Sequence, residues 1–165
     1  MANTHNDRAF AIAENTGRQK SLAVLNAFEL IEDADYTIVP TADKYCKWDF
    51  ELIEKGTGNL LGIVEVKDRK FPSNDARVVK EGVQMETHKV MALKEKANED
   101  DIVAYYLATF SDNKAMMWDI MAAPTTTDCR MANKTTAVDN GKVLKSFHYF
   151  MPKDSIIGIT DIVMA

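Results

Sequence analysis

The stretch that most constrains the fold runs from residue 60 to residue 71 and reads LLGIVEVKDRKF. Its first seven residues are almost wholly apolar, which is typical of a strand buried on both faces. Side chains alternate across a strand, so Glu65 and Lys67 project to one face while Val64 and Val66 project to the other. Buried charges are costly unless they are paired or bound to a metal. The stretch therefore predicts a buried strand whose end carries either a simple ion pair or a functional site.

A second strand is expected just before it. Residues 47–52 read KWDFEL, so polar and apolar side chains alternate with a period of two. The sequence KGTGN at residues 55–59 is a turn signal, and the two strands should form an antiparallel hairpin. Pairing around this turn brings Asp49 close to Glu65, so that two carboxylates and the ammonium of Lys67 converge at one end of a sheet. Glu51 shares the face of Asp49 and is an alternative metal ligand.

Asp49, followed after a turn by Glu65-Val66-Lys67 and then by a long helix, resembles the PD-(D/E)XK nuclease superfamily. Small phage and archaeal endonucleases, including Holliday-junction resolvases, look similar. The resemblance covers roughly residues 10–110 as an ordered series of elements. The motif itself is short, and its context of hairpin, buried strand, helix and further apolar strand gives it weight. The family's proline before the first aspartate is absent, since Trp48 stands there.

The resemblance implies a DNA endonuclease that hydrolyses phosphodiester bonds with Mg²⁺ or Mn²⁺, in one form a structure-specific enzyme acting on junctions or nicking one strand. It implies that Asp49, Glu65 and the backbone carbonyl of Val66 bind the metal. Mg²⁺ prefers oxygen ligands and keeps several waters, so two carboxylates suffice. Lys67 would orient the attacking water or stabilise charge on the scissile phosphate. A homodimer would suit two-fold symmetric DNA. The alternative is a non-catalytic DNA-binding or inhibitor protein on the same fold.

The resemblance also implies an acid on the first helix that helps to hold a metal or its water. Residues 7–33 have a helical pattern, with an apolar stripe formed by Val24, Leu25, Phe28 and Ile31. Counting back twice by seven from Phe28 gives Glu14, which we expect to face inward, with Glu29 and Glu32 as rivals. The turn signal at residues 15–17 leaves open a helix that starts at Thr16, with Glu14 before it.

Residues 72–75 read PSND and are expected to break the chain and cap a long helix from about residue 75 to residue 98. Within it, Gln84 and Lys89 are candidates for contact with DNA, as are Arg69 and Lys70 where the chain leaves the buried strand. Gln84 followed four positions later by His88 partly resembles a Gln-x-x-x-Tyr motif of one branch of the superfamily. A structural role explains His88 more simply.

The remaining sequence predicts further strands. Residues 102–110 read IVAYYLATF and should form a central strand, with a return strand at residues 114–120. Short strands are expected at residues 36–39 and 143–150, with an apolar tail at residues 156–163. The polar, Thr-rich stretch 124–139 is expected to be a loop and is a candidate for substrate selectivity. This order predicts one domain over residues 1–165, with residues 1–6 disordered. The expected class is α/β (α+β), a central mixed sheet flanked by helices as in a restriction-endonuclease-like core.

The net charge of −5 counts against DNA as a partner, because phosphate contacts usually come from a basic surface. Catalytic acids inflate the negative count, and bound divalent cations would offset it locally. No apolar run approaches the ~20 residues of a membrane helix, and the first residues lack the regions of a signal peptide. Cys46 and Cys129 lie far apart without metal-like spacing. These features predict a cytoplasmic protein of a bacterial or phage-infected cell, with no membrane partner.

Overall fold

A six-stranded β-sheet is the main feature of the computed structural model. The structure describes residues 17–42, 46–122, 129–135, 142–152 and 156–163. In chain order, the described elements are α1 (residues 17–26), β1 (Tyr36–Pro40), β2 (Phe50–Glu54), β3 (Leu60–Asp68), α2 (Ala76–Glu81), β4 (Val83–Glu86), α3 (Thr87–Asp100), β5 (Val103–Thr109), β6 (Lys114–Asp119), β7 (Cys129–Thr135), β8 (Lys142–Phe150) and β9 (Ile156–Asp161).

The main sheet has the spatial strand order β1-β2-β3-β5-β6-β9, and a separate three-stranded sheet has the order β4-β8-β7. In the main sheet, β3 and β5 run parallel, whereas the other described neighbours run antiparallel. The predicted class is confirmed in its coarse form, since the fold is mixed α and β with a central, mostly antiparallel sheet flanked by helices. The predicted hairpin is also confirmed, because β2 pairs with β3 and places Phe50 opposite Val64.

Apolar side chains cover both faces of β3, as the continuous apolar run predicted. On one face, Val64 packs in a cluster with Val24 and Leu25 of α1. On the other face, Ile63 packs in a cluster with Leu93 of α3. Removing such a fully buried aliphatic side chain typically costs about 2–5 kcal/mol. The two clusters therefore fix α1 and α3 on opposite sides of the strand that carries Glu65 and Lys67.

The predicted helix from residue 75 to residue 98 is wrong in its middle. Asp75 does cap a helix, because its side chain accepts a hydrogen bond from the Arg77 N–H. However, α2 ends at Glu81, and Gly82 adopts a φ of 87° that a helix does not allow. The next four residues form β4, which pairs with β8, and Val83 and Met85 are buried in the same core cluster. Val83 and Met85 are therefore apolar because they are the buried, alternate positions of a strand. The same two positions also fit the apolar stripe of a helix, which is why the sequence predicted one.

Two further boundaries differ from the sequence prediction. Helix α1 ends at residue 26, well before residue 33. The N–H groups of Ala27 and Phe28 donate to carbonyls only three residues back, and Asp33 further on adopts a left-handed φ of 57°. Strand β7 lies inside the stretch 124–139 that we expected to be a loop, and it pairs with β8. Glu14 and residues 1–6 lie outside the described residues. Within the described ranges, none of the helices has both the length and the apolar character that crossing a membrane requires.

We expect Gly82→Ala to lower the free energy of unfolding by about 2–4 kcal/mol. A Cβ atom at this position would lie 2.7 Å from the Phe150 carbonyl oxygen of β8, and the backbone conformation is strained for any other residue. Gly56→Ala is the matched control, since Gly56 also has a positive φ but a Cβ atom there would meet no other atom within 4 Å. The control should cost about 1 kcal/mol. Urea unfolding measures both, and equal losses would contradict the close approach of β8.

Candidate active site

Asp49 is held where β2 stops pairing with β3. The last register pair joins Phe50 to Val64, and the Asp49 N–H donates to the Val64 carbonyl oxygen at 2.8 Å. Strand β3 continues beyond this point to Asp68. The Oδ2 atom of Asp49 accepts a hydrogen bond from the Val66 N–H at 2.7 Å. The Asp49 carboxylate thus accepts the hydrogen bond that the backbone of β2 would accept from β3 if the pairing continued. This contact fixes the carboxylate against β3.

The backbone of Val66 supplies a second oxygen at the same place. In a strand, the N–H and C=O groups of one residue point toward the same neighbouring strand. The Val66 N–H points to Asp49, so its carbonyl also points toward the edge that Asp49 occupies. Successive residues of a strand point their backbone groups to alternate sides. Arg69, three residues after Val66, accordingly donates its N–H to the Thr109 carbonyl oxygen of β5, on the opposite side of β3. The predicted ligand pair of Asp49 and the Val66 carbonyl therefore shares one edge of β3.

Glu65 projects from β3 on the side of α3 and is 1% exposed. Its Oε1 atom lies 3.0 Å from the Lys67 Nζ atom and 2.6 Å from the Lys89 Nζ atom. Lys67 comes from the same face of β3, two residues on, whereas Lys89 reaches across from α3. A buried carboxylate needs such partners, because removing an isolated charge from water is costly. The sequence predicted the contact with Lys67, but it placed Lys89 only as a possible contact with DNA.

The register of β2 and β3 places Asp49 next to Glu65, and the pKa of Asp49 reflects this position. Burial and the negative charge of Glu65 raise the pKa of Asp49 to about 6, against the opposing effects of the Val66 hydrogen bond and of Lys67 and Lys89. Both lysines therefore act on Asp49 as well as on Glu65. The structure brings together three of the four predicted catalytic residues, and the fourth, Glu14, lies outside the described residues.

A cleft of about 230 Å³ opens beside Asp49 on the side of α1. Its lining residues are Gly17, Arg18, Ser21, Asp49, Phe50, Val66 and Asp68. Arg18 and Ser21 are three residues apart in α1 and so lie on one side of the helix. The cleft gives a substrate access to the Asp49 carboxylate, and Arg18 places a positive charge at its wall.

Asp68 and Arg18 are cleft residues that the sequence analysis did not select. Asp68 accepts a hydrogen bond from the Thr109 hydroxyl at 2.8 Å and pairs with Lys70 at 2.6 Å. Burial alone would raise the pKa of Asp68, but the hydrogen bonds from Lys70 and Thr109 outweigh it and hold the pKa below its usual value. The alternation of side chains along β3 could have identified Asp68 as a cleft residue, because Asp68 lies two residues after Val66 and so shares its α1-facing side.

The rival acids lie elsewhere. Glu51 accepts a hydrogen bond from the Trp48 indole at 3.0 Å, which occupies one of its carboxylate oxygens. Glu29 and Glu32 follow the end of α1, are exposed, and do not line the cleft. Among the described acids, Asp49 and Glu65 remain the pair that meets at the end of β3.

Of the four candidates for contact with DNA, Gln84 and its proposed partner His88 require a correction. They do not share one helix face, because Gln84 lies on β4 and His88 lies in α3. The Gln84 carbonyl oxygen accepts hydrogen bonds from Arg69 and from the Tyr106 hydroxyl. His88 is exposed and lies 3.3 Å from Glu86. The partial resemblance to a Gln-x-x-x-Tyr motif therefore has no structural counterpart here.

The oxygen atoms at the end of β3 fit Mg²⁺ or Mn²⁺ with one condition. Within the part of the chain that the structure describes, no three His, Cys, Asp or Glu side chains cluster as a ready metal site. Two carboxylates and one carbonyl are nevertheless enough for Mg²⁺, which retains several waters. Burial first and the charge of Glu65 second raise the pKa of Asp49, and a divalent cation would offset both effects by favouring the ionised form. Because Glu65 already contacts two lysines, it would exchange at least one of these contacts for the cation.

Comparison with known proteins found no matching family model, no matching curated protein and no matching solved structure. The function is therefore inferred from the geometry and chemistry of these residues.

We expect Asp49→Asn to remove a pH dependence of stability. Because the pKa of Asp49 is raised from 3.8 to about 6, the folded state binds more protons than the unfolded state between these pH values. The free energy of unfolding should therefore fall as the pH rises through this window, by about 2–3 kcal/mol in the wild type relative to D49N. Urea unfolding at several pH values between 4 and 7 measures the difference. The control Glu99→Gln removes an exposed carboxylate and should parallel the wild type, whereas parallel curves for D49N would contradict the assignment.

Proposed function

We propose that this protein is a divalent-metal-dependent DNA endonuclease with a PD-(D/E)XK, restriction-endonuclease-like core. The observation that carries the proposal is the meeting of Asp49, Glu65 and Lys67 at the open end of β3. Asp49 is fixed by the Val66 N–H at 2.7 Å, and Glu65 lies 3.0 Å from Lys67. These residue types are those that hydrolysis of a phosphodiester with Mg²⁺ requires.

The order of elements supports the proposal. A helix packs on one face of a β2–β3 hairpin, and the chain then passes through α3 to β5, which lies parallel to β3. This is the order on which the resemblance to the nuclease superfamily rests. Strand β4 interrupts the expected long helix and is a departure that adds a second sheet beside α3.

Each residue has a distinct role in the proposed reaction. Asp49, Glu65 and the Val66 carbonyl would hold Mg²⁺ or Mn²⁺, which when bound supplies an activated water and stabilises charge on the phosphate. Asp49 must be ionised for this role, so its hydrogen bond from Val66 helps to favour the charged form. Lys67 orients the water or stabilises negative charge on the scissile phosphate. Lys89 compensates the charge of Glu65 from the side of α3.

A non-catalytic DNA-binding or inhibitor protein on the same fold is the second candidate. The net charge of −5 favours its inhibitor form, because this charge counts against DNA as a partner, and the pairing of Glu65 with two lysines favours a non-catalytic role. The nuclease is the better supported of the two, because an ion pair alone does not explain the second carboxylate at Asp49. We propose a homodimer for two-fold symmetric DNA, acting in the cytoplasm of a bacterial or phage-infected cell.

We expect the purified protein to nick supercoiled plasmid DNA with Mg²⁺ or Mn²⁺ and to lose this activity in EDTA. Glu65→Gln removes a metal ligand and Lys67→Ala removes the ammonium at the phosphate, so each should lower the initial rate by about 10²-fold or more. Glu54→Gln and Lys55→Gln are matched controls of the same residue types at the far end of the hairpin. Equal rates in all variants would reject this site.

A metal-binding readout separates the two candidate functions. Mg²⁺ should raise the melting temperature of the wild type, because binding to the folded state alone stabilises it. The shift should disappear in Glu65→Gln and persist in Glu54→Gln. The non-catalytic binder would be favoured if the wild type shifts DNA in a gel, shows no change of melting temperature with Mg²⁺ and does not nick plasmid.

A further inference from the structure

A second cleft, of about 110 Å³, lies beside the carboxylate pair on the far side of Tyr106. Residues that line it include Arg69, Phe71, Arg77, Glu81, Gln84 and Tyr149. The volume is enough for several water molecules and so for one phosphate group. The Tyr106 hydroxyl accepts a hydrogen bond from Arg69 at 2.8 Å, and Tyr106 is the residue of β5 that pairs in register with Glu65 of β3. The cleft is thus adjacent to the candidate active site and distinct from the cleft on the side of α1.

Arg69 is a cation held in this cleft by neutral groups. Its Nη2 atom donates to the Gln84 carbonyl oxygen and to the Tyr106 hydroxyl. Its Nε atom is buried, and none of the residues that the structure describes accepts a hydrogen bond from it. No carboxylate of those residues forms an ion pair with it either. A guanidinium that has an unsatisfied donor and, among the described residues, no carboxylate in ion-pair contact favours an anion as its partner, even though Glu81 also lines the cleft.

Arg77 and Phe71 shape the mouth of the cleft. The Arg77 guanidinium lies 4.5 Å from the centre of the Phe71 ring, and it also forms an ion pair with Asp75 at 2.9 Å. These two contacts hold Arg77 in place, while its charge is largely compensated by Asp75. Arg69 therefore provides the free positive charge, and Arg77 adds a fixed donor group nearby.

Arg69 also lies one step beyond Lys67 on the same face of the chain. The ladder of β3 continues through the hydrogen bond from the Arg69 N–H to Thr109, so the backbone is still extended there. Two residues of extended chain span about 6.6 Å. This step is comparable to the separation of neighbouring phosphates along a nucleic-acid strand. A strand whose scissile phosphate lies at Lys67 can therefore present its next phosphate to Arg69.

We propose that the Arg69 cleft binds a phosphate of the DNA strand adjacent to the scissile phosphate. The assignment to a DNA strand rests on the proposed function, whereas the preference for a phosphate anion follows from the Arg69 contacts alone. The cleft would then set the register of the strand, so that the neighbouring phosphodiester lies over Asp49 and Glu65.

Titration with inorganic phosphate, followed by NMR without divalent metal, tests the anion site directly. The Nε–H signal of Arg69, assigned by its absence in Arg69→Lys, should shift saturably in the wild type. In Arg69→Gln the affinity, read from the amide signals of Gly82 and Gln84, should fall about tenfold or more. Lys55→Gln, which removes one positive charge at the far end of β3, should match the wild type. An unsaturable wild-type response, or equal affinity in Arg69→Gln, would overturn the proposal.

Should Arg69→Gln fail to fold, Arg77→Gln provides the second test, since Arg77 is exposed and its main partner is Asp75. It should weaken phosphate binding about threefold, as expected for one exposed charge near the anion, and unchanged binding would count against the cleft. A single-stranded tetranucleotide without terminal phosphates is the second probe. It should shift the same signals at lower concentrations than phosphate does, because Lys67 adds a contact.

The two probes distinguish free phosphate from a DNA strand as the source of the anion. They also allow the phosphate cleft and the nuclease to be tested independently. A response to inorganic phosphate without a response to the tetranucleotide would overturn the assignment to a DNA strand. Because neither titration needs metal or cleavage, a failure to nick plasmid rejects the nuclease without affecting the phosphate result. Conversely, nicking by the wild type without saturable binding at Arg69 rejects the cleft and leaves the nuclease in place.

Discussion

The hydrogen bond from the Val66 N–H to the Asp49 carboxylate is the contact on which the candidate site depends. It forms because the register pairing of β2 with β3 reaches only to Phe50 and Val64, while β3 itself extends to Asp68. The carboxylate is therefore buried beside a backbone carbonyl, and its pKa rises to about 6. A carboxylate fixed in this way needs little reorganisation to meet a cation, and preorganisation of this kind is a large contributor to electrostatic catalysis.

Two lysines, Lys67 and Lys89, compensate the charge of the buried Glu65 carboxylate. A buried carboxylate between two ammonium groups contributes little net stability compared with a well-packed apolar group, although removing one partner is strongly destabilising. Lys67 comes from the same strand and Lys89 from α3, so the position of α3 is tied to the carboxylate by charge as well as by its apolar face. The same arrangement lets Glu65 release one lysine to a competing cation without being left unpaired. The packing of α3 and the chemistry of the site are therefore coupled.

Local patterns predicted the parts of the fold that depend on neighbours in sequence. The alternation in residues 47–52, the turn at residues 55–59 and the apolar run of β3 together indicated the hairpin and the approach of Asp49 to Glu65. Strand β4 was missed because Val83 and Met85 also fit a helix, and the partner that selects the strand, β8, lies about sixty residues away. The sequence could not predict the Arg69 cleft for the same reason, since the Gln84 carbonyl contacts Arg69 from β4, which depends on its pairing with β8. The polar composition of β7 likewise gave no periodic signal.

Beyond Val64, no strand of the described residues pairs with β3 on the side of β2, and this has one more consequence. A strand edge with free N–H and C=O groups invites another chain to add to the sheet, which is a common route to aggregation. Asp49 engages the first of these groups with a negatively charged side chain, and a backbone strand from a second molecule cannot enter without displacing it. The carboxylate that would serve chemistry thus also keeps neighbouring molecules from joining edge to edge.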